Sequence, residues 1–158
     1  LIFQARTHEL ANGAGRMATI TGSSGVGEAN TIFVPAQDIE AVSDDIDCAI
    51  NMASMQEMNH FSIAAYFTFL RRRSTPQSRF YCVNRLSKEL PQGEIATFND
   101  YPWSKDDEVF FDGSCPYYTH FIGPSTLSRG PRLLGVRVPF INYFDGIMMH
   151  RLVHLAHP

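Results

Sequence analysis

The stretch Asp47-Cys48-Ala49-Ile50-Asn51-Met52-Ala53-Ser54-Met55-Gln56-Glu57-Met58 constrains this chain more than any other. A short apolar run, Ile46 to Ile50, is opened by an acidic pair and closed by Asn51. Polar residues and methionines follow, and then a helix. That order is the pattern of a buried strand delivering side chains to the carboxyl end of a parallel sheet, where open α/β folds keep their sites.

The next element supports this. Asn59 is a sound N-cap for a helix over His60–Arg73. Ile63, Tyr66, Phe67 and Leu70 recur on one face. Arg71, Arg72 and Arg73 fall in its last turn, where cations suit the helix dipole, and read as a solvated face. Ser74-Thr75-Pro76 ends the helix. Arg79-Phe80-Tyr81-Cys82-Val83-Asn84 is a second buried strand, again closed by asparagine. A strand–helix–strand of this length implies a parallel pair joined by a crossover, which places Asn51 and Asn84 at the same sheet edge.

Upstream, residues 1–30 form a poorly defined glycine-rich segment. Glu9 to Ala18 has the form of a nucleotide-binding turn in which Gly13 and Gly15 let the backbone approach a ligand at a helix start. The alternative is an ordinary flexible loop. Thr31–Val34 is a strand stopped by Pro35. Beyond it, Asp38 either accepts a hydrogen bond from an exocyclic amine such as that of adenine, with Ile39 packed on the ring, or caps the short turn Ile39–Val42. Downstream, a long polar connection carries Tyr101 and the single tryptophan, Trp103, which either form a stacking wall for a sugar or plug the loop onto the domain. Glu108–Asp112 reads as a strand, and Ile147–Leu155 as material for an antiparallel edge.

Composition narrows the classes. A net charge of −3 gives no electrostatic case for nucleic acid or an anionic membrane. No apolar run is long enough to cross a bilayer, and His150, His154 and His157 lack the acidic third ligand of a metal set. Cys48 and Cys82 read as reduced, buried thiols, which together with the absence of a leader pattern points to a cytoplasmic domain. The first residue is Leu1 rather than methionine, so a fragment is one reading.

The run from Asp47 to Met58, then Phe80-Tyr81-Cys82-Val83-Asn84-Arg85, then Asp100-Tyr101-Pro102-Trp103, resembles the putative sugar O-methyltransferases over roughly residues 31–122. The resemblance implies an S-adenosylmethionine-dependent enzyme with a class I methyltransferase (Rossmann-like) α/β sheet. The chain would supply the carboxyl-terminal portion, residues 31–158, as a mostly parallel sheet with an antiparallel C-terminal edge. It also implies a small-molecule sugar or glycoside acceptor. Gly13, Gly15, Asp38, Ile39 and Asn51 would hold the cofactor, Gln56, Asn84, Tyr101 and Trp103 the acceptor, and Glu57 or His60 would take the hydroxyl proton. The sequence departs from the pattern in one respect: the 22 residues between Gly15 and Asp38 are too few for the usual second strand and its helices. The competing expectation is a non-catalytic methyltransferase-like binding domain. A nicotinamide oxidoreductase built on Gly13 and Gly15 needs the same second strand and lacks an evident Tyr–Lys pair.

Overall fold

The computed structural model describes residues 17–19, 31–119, 132–133, 136–137 and 146–157. The chain separates into two compact units, Leu1–Asp44 and Asp45–Pro158.

In the first unit, β1 (Met17–Thr19) and β2 (Thr31–Phe33) form a short parallel pair. Pro35 then opens a 3₁₀ turn over Ala36–Ala41. Proline suits that position because its ring fixes φ and it has no N–H to satisfy. The N-cap of the turn is Pro35, and Asp38, expected to cap Ile39–Val42, lies within its first turn, where its backbone N–H donates to Pro35 O at 2.9 Å.

The second unit is built on β3 (Ile46–Met52), α1 (His60–Arg73) and β4 (Ser74–Arg85). Asn59 caps α1 through its side-chain oxygen, which accepts from the Ser62 N–H at 2.8 Å. The helix passes into β4 without an intervening loop residue. Ser74 Oγ donates to the freed Leu70 carbonyl at 2.7 Å, satisfying one of the acceptors a helix end leaves open. β3 and β4 pair in parallel, Ala49 opposite Phe80 and Asn51 opposite Cys82.

Because side chains alternate across a strand, β4 presents Phe80, Cys82 and Asn84 to one face of the sheet and Arg79, Tyr81 and Val83 to the other. Helix α1 covers the first face, with Phe67 edge-on to Phe80 at 5.6 Å. Trp103 closes the same cluster, 4.8 Å from Phe67.

The chain continues through β5 (Ser87–Glu89) and β6 (Ile95–Thr97), an antiparallel hairpin. Its turn is closed by Leu90 N–H donating to Glu94 O and Gly93 N–H donating to Leu90 O. Gly93 sits at φ 85°, a conformation that costs a side-chain-bearing residue on the order of 1 kcal/mol. Then come β7 (Glu108–Ser114), the short pair β8 (Arg132–Leu133) and β9 (Val136–Arg137), and β10 (Met148–His154).

This arrangement corrects the expected fold class. The sheet order is β3-β4-β10-β7, and β10 is antiparallel to both β4 and β7. Within this four-stranded sheet, only the β3–β4 pairing is parallel. The sheet is therefore a small mixed one, not a mostly parallel Rossmann-like sheet with an antiparallel C-terminal edge: the antiparallel strand lies inside, and β7 is the edge.

The physical reason lies in the polar residues of β10, which resemble an exposed edge in sequence but have partners within the sheet. Tyr81 OH and His150 Nδ1 are 3.2 Å apart, and Arg151 Nη2 donates to Asp112 Oδ2 at 2.5 Å. The Arg151 guanidinium also lies 4.4 Å from the Trp103 ring centre, a cation–π contact that shields a charge inside the layer.

The cysteine expectation changes as well. All three thiols are free, and Cys82 is buried as expected. Cys48 is exposed, because β3 is the other edge of the sheet.

Candidate functional site

The parallel pair brings its two closing asparagines together. Asn84, with no exposed surface, donates through Nδ2 to Asn51 Oδ1 at 2.9 Å and to Cys82 Sγ at 3.1 Å. Its Oδ1 accepts from the Gln56 N–H at 3.1 Å. Asn51 Oδ1 also accepts from the Met55 N–H at 3.3 Å, and Asn51 Nδ2 donates to Ser54 Oγ at 2.5 Å. Gln56 Oε1 accepts from the Arg85 N–H at 2.8 Å.

These contacts form a carboxamide staple. It folds the short helical turn Met55–Glu57 back over the ends of β3 and β4. Ala53 makes the bend at φ 58°, with its N–H donating to Val83 O. Buried polar groups are tolerated only when bonded in this way. The bonding of Asn51, Gln56 and Asn84 thus goes into holding the turn. The Cys82 thiol, against which Asn84 lies, is pushed up to about 12 by burial.

Tyr101 and Trp103 also depart from the expected sugar wall. Tyr101 is 3% exposed, and its ring packs 5.4 Å from Phe98. Burial raises its phenol above the ordinary value. Trp103 Nε1 donates to Phe98 O at 2.8 Å, and its ring is flanked by Phe67 and Arg151. Tyr101 is buried and Trp103 half-buried, and both rings pack the connection onto the α1 face.

What the turn leaves accessible is Glu57, whose side chain is 51% exposed and ion-paired with Lys88 Nζ on β5. The Lys88 hydrogen bond holds its carboxyl below the ordinary value, with a weaker opposing push from burial. His60, the first residue of α1, donates its backbone N–H to Glu94 Oε1 at 2.7 Å, and its ring Nε2 lies 3.7 Å from the same oxygen. A carboxylate at that place answers the positive end of the helix. The two candidate proton acceptors are thus both paired with residues of the β5–β6 hairpin. That connection was legible in sequence only as a long polar loop.

The cofactor set is divided. Gly13 and Gly15 lie outside the described residues. Asp38 and Ile39 are half-buried residues of the first unit, and Asn51 belongs to the second.

One site was missed. Arg71, expected in a solvated face, instead forms a two-pronged pair with Asp107, Nη1 to Oδ1 at 2.5 Å and Nη2 to Oδ2 at 2.9 Å. It also donates to Ala156 O at 2.9 Å and Pro102 O at 2.8 Å. Asp107 further accepts from the Ser104 and Ala156 N–H groups. Burial alone would raise the Asp107 carboxyl, but the hydrogen bonds from Arg71, Ser104 and Ala156 outweigh it and leave the group below its ordinary value. A buried aspartate and a helix-terminal arginine separated by 36 residues carry no local signal, so nothing in the sequence pattern joins them.

Among the described residues, no group of three His, Cys, Asp or Glu side chains could hold a metal ion, and no helix is long and apolar enough to cross a membrane. No family model, curated protein or solved structure matches the chain.

Proposed function

We propose that the chain acts in S-adenosylmethionine-dependent O-methylation of a sugar hydroxyl, with Glu57 as the proton acceptor. The observation that carries this reading is local. A parallel strand–helix–strand unit ends in a stapled turn whose one accessible carboxylate, Glu57, stands at the carboxyl edge of β3 and β4. The reading rests on that unit and on the resemblance of residues 47–58, 80–85 and 100–103, not on the architecture of the sheet.

S-adenosylmethionine, when bound, supplies an activated methyl group, and alignment of acceptor and methyl provides much of the acceleration. On the acceptor side, Glu57 would take the proton of the hydroxyl whose oxygen receives the methyl group. The Lys88 hydrogen bond lowers the Glu57 carboxyl, so the carboxylate accepts as a weaker base than a free glutamate.

The test is transfer of a labelled methyl group to a panel of methyl glycosides, alongside calorimetry with S-adenosylhomocysteine. Glu57→Gln is expected to lower transfer by about two orders of magnitude, the usual worth of a general base, while leaving S-adenosylhomocysteine binding in place. Absence of both binding and transfer would overturn the proposal. It would favour the second reading, a non-catalytic binding domain, which draws support from the structural use of Asn51, Gln56, Asn84, Tyr101 and Trp103.

A further inference from the structure

Among the described residues, β3 lies at one end of the four-stranded sheet and pairs only with β4, so its outer edge is open. An open edge presents a row of backbone N–H and C=O groups that a further strand can use. β3 is seven residues long and contains no proline to blunt that edge. Its alternate residues Cys48, Ile50 and Met52 stand opposite Arg79, Tyr81 and Val83, on the sheet face away from α1. Cys48 is exposed, Ile50 is 67% exposed and Met52 51%. The apolar stripe they begin runs across the sheet through Tyr81 to Phe111, whose rings lie 5.9 Å apart.

We propose that β3 is the seam of a homodimer, pairing antiparallel with β3 of a second copy about a two-fold axis at Ala49 and joining the two sheets into one. What selects a second copy is the way the strand matches itself. A two-fold axis lays a strand antiparallel to its own copy. With the axis normal to the sheet, both uncovered faces lie on the same side. Directly opposed residues then share a face only if the axis passes through a residue.

Centred on Ala49, all seven residues of the strand find a counterpart within it. Cys48 meets the partner's Ile50 on the open face and Ile46 meets the partner's Met52, apolar against apolar. Asp47 meets the partner's Asn51, a carboxylate against an amide, and no carboxylate meets another. Centred on Cys48, the pairing would set Asp44 against Met52. Centred on Ile50, it would set Ile46 and Asp47 against Ser54 and Ala53, where Ala53 at φ 58° already turns the chain away. The other sheet edge, β7, lacks this match: about its midpoint Phe111, Phe110 would face Asp112, which is held by Arg151. The seam is independent of the proposed methyl transfer.

The experiment is sedimentation equilibrium of the full chain from about 1 μM to about 1 mM, a range in which a monomer–dimer equilibrium is expected. Ile50→Lys places an ammonium against the partner's Cys48 and should weaken association at least about tenfold. Its urea midpoint, measured in dilute solution, should stay close to wild type because Ile50 is 67% exposed in the single chain. Cross-linking with diamide reads the register. Directly opposed Cα atoms lie about 4.5 to 5.5 Å apart, within reach of a disulfide. Ile50→Cys should therefore give a covalent dimer through Cys48, whereas wild type and the Cys48→Ser, Ile50→Cys double variant should stay non-covalent. The Cys48 thiol, reactive in dilute solution, should be masked as the dimer fills. A chain that stays monomeric at the highest concentration, a larger assembly, or a dimer indifferent to Ile50→Lys overturns the proposal. Fast cross-linking of wild type, or of the double variant, overturns the Ala49 register.

Discussion

Replacing Asp107 with asparagine should remove a large share of the stability of the second unit. The wild-type side chain is 1% exposed and accepts from both terminal nitrogens of Arg71 and from the Ser104 and Ala156 backbone N–H groups. An asparagine keeps the shape but turns one oxygen into a donor. In either flip, that amide faces one Arg71 nitrogen and one backbone N–H, so two donors lose their acceptor and the guanidinium loses its counter-charge. Each orphaned buried group costs about 1 to 1.5 kcal/mol and the broken pair adds to it, giving about 3 kcal/mol in all. With a urea dependence of about 2 kcal/mol per molar, the midpoint falls by about 1.5 M.

The assay is urea unfolding followed by tryptophan fluorescence. Trp103 is the only tryptophan and lies in the cluster that Arg71 and Asp107 brace. The pH dependence fixes the mechanism. The folded carboxyl titrates below its unfolded value of about 3.9. Its contribution is therefore complete above that value and is lost as pH falls through the folded one. Wild type and Asp107→Asn should converge in acid below about pH 4. A midpoint shift under about 0.5 M at neutral pH, or a gap between the two proteins that persists in strong acid, would refute the argument.

Three further outcomes are expected. Asn84→Ala leaves the Gln56 N–H buried without its acceptor and should cost about 2 kcal/mol in the same assay; a change within 0.5 kcal/mol, roughly the effect of an ordinary surface substitution, would mean the staple is dispensable. Thiol titration of the native protein near pH 8 should show a single fast-reacting group, Cys48, since Cys82 and Cys115 are buried and the Cys82 thiol lies up at about 12. Cys48→Ser should abolish that phase, and urea should expose the rest. Gly93→Ala, forced into a left-handed turn, should lower stability by about 1 kcal/mol, measured by chemical denaturation, and leave the hairpin contact between Lys88 and Glu57 in place.

The local elements were readable because their signals are local. The spacing of Ile63, Phe67 and Leu70 and the cap at Asn59 yield a helix whose ends, His60 and Arg73, match the structure. The run to Ile50 and the strand closing at Asn84 lie within β3 and β4, and the carboxyl-edge meeting of Asn51 and Asn84 follows from a parallel pair. What could not be read is what depends on distant partners. The interior place of β10 is set by contacts from His150, Arg151 and His154 to Tyr81, Asp112 and Ser78, none of which leaves a periodic trace. The β5–β6 hairpin was hidden because its strands span three residues each, too short for alternation to show. Trp103 is ambiguous in principle: a ring that stacks on a ligand and one that plugs a core look alike in sequence, and the Phe98 carbonyl and the Arg151 guanidinium decide between them.

The position of β10 also dictates a timetable. On the ribosome, β3, α1 and β4 emerge before the other strands of their sheet and can pair at once, since their contacts are close in sequence. When β7 appears, the strand that must join it to β4 has not yet been made, so the inner edges of both β4 and β7 stand open until residues 148–154 leave the exit tunnel. Slow synthesis over that interval lengthens the exposure of unpaired strand edges, the species most prone to associate with neighbouring chains. Faster translation between residues 115 and 154, or a chaperone acting in that window, should therefore raise the yield of folded protein without altering a single contact in the finished sheet.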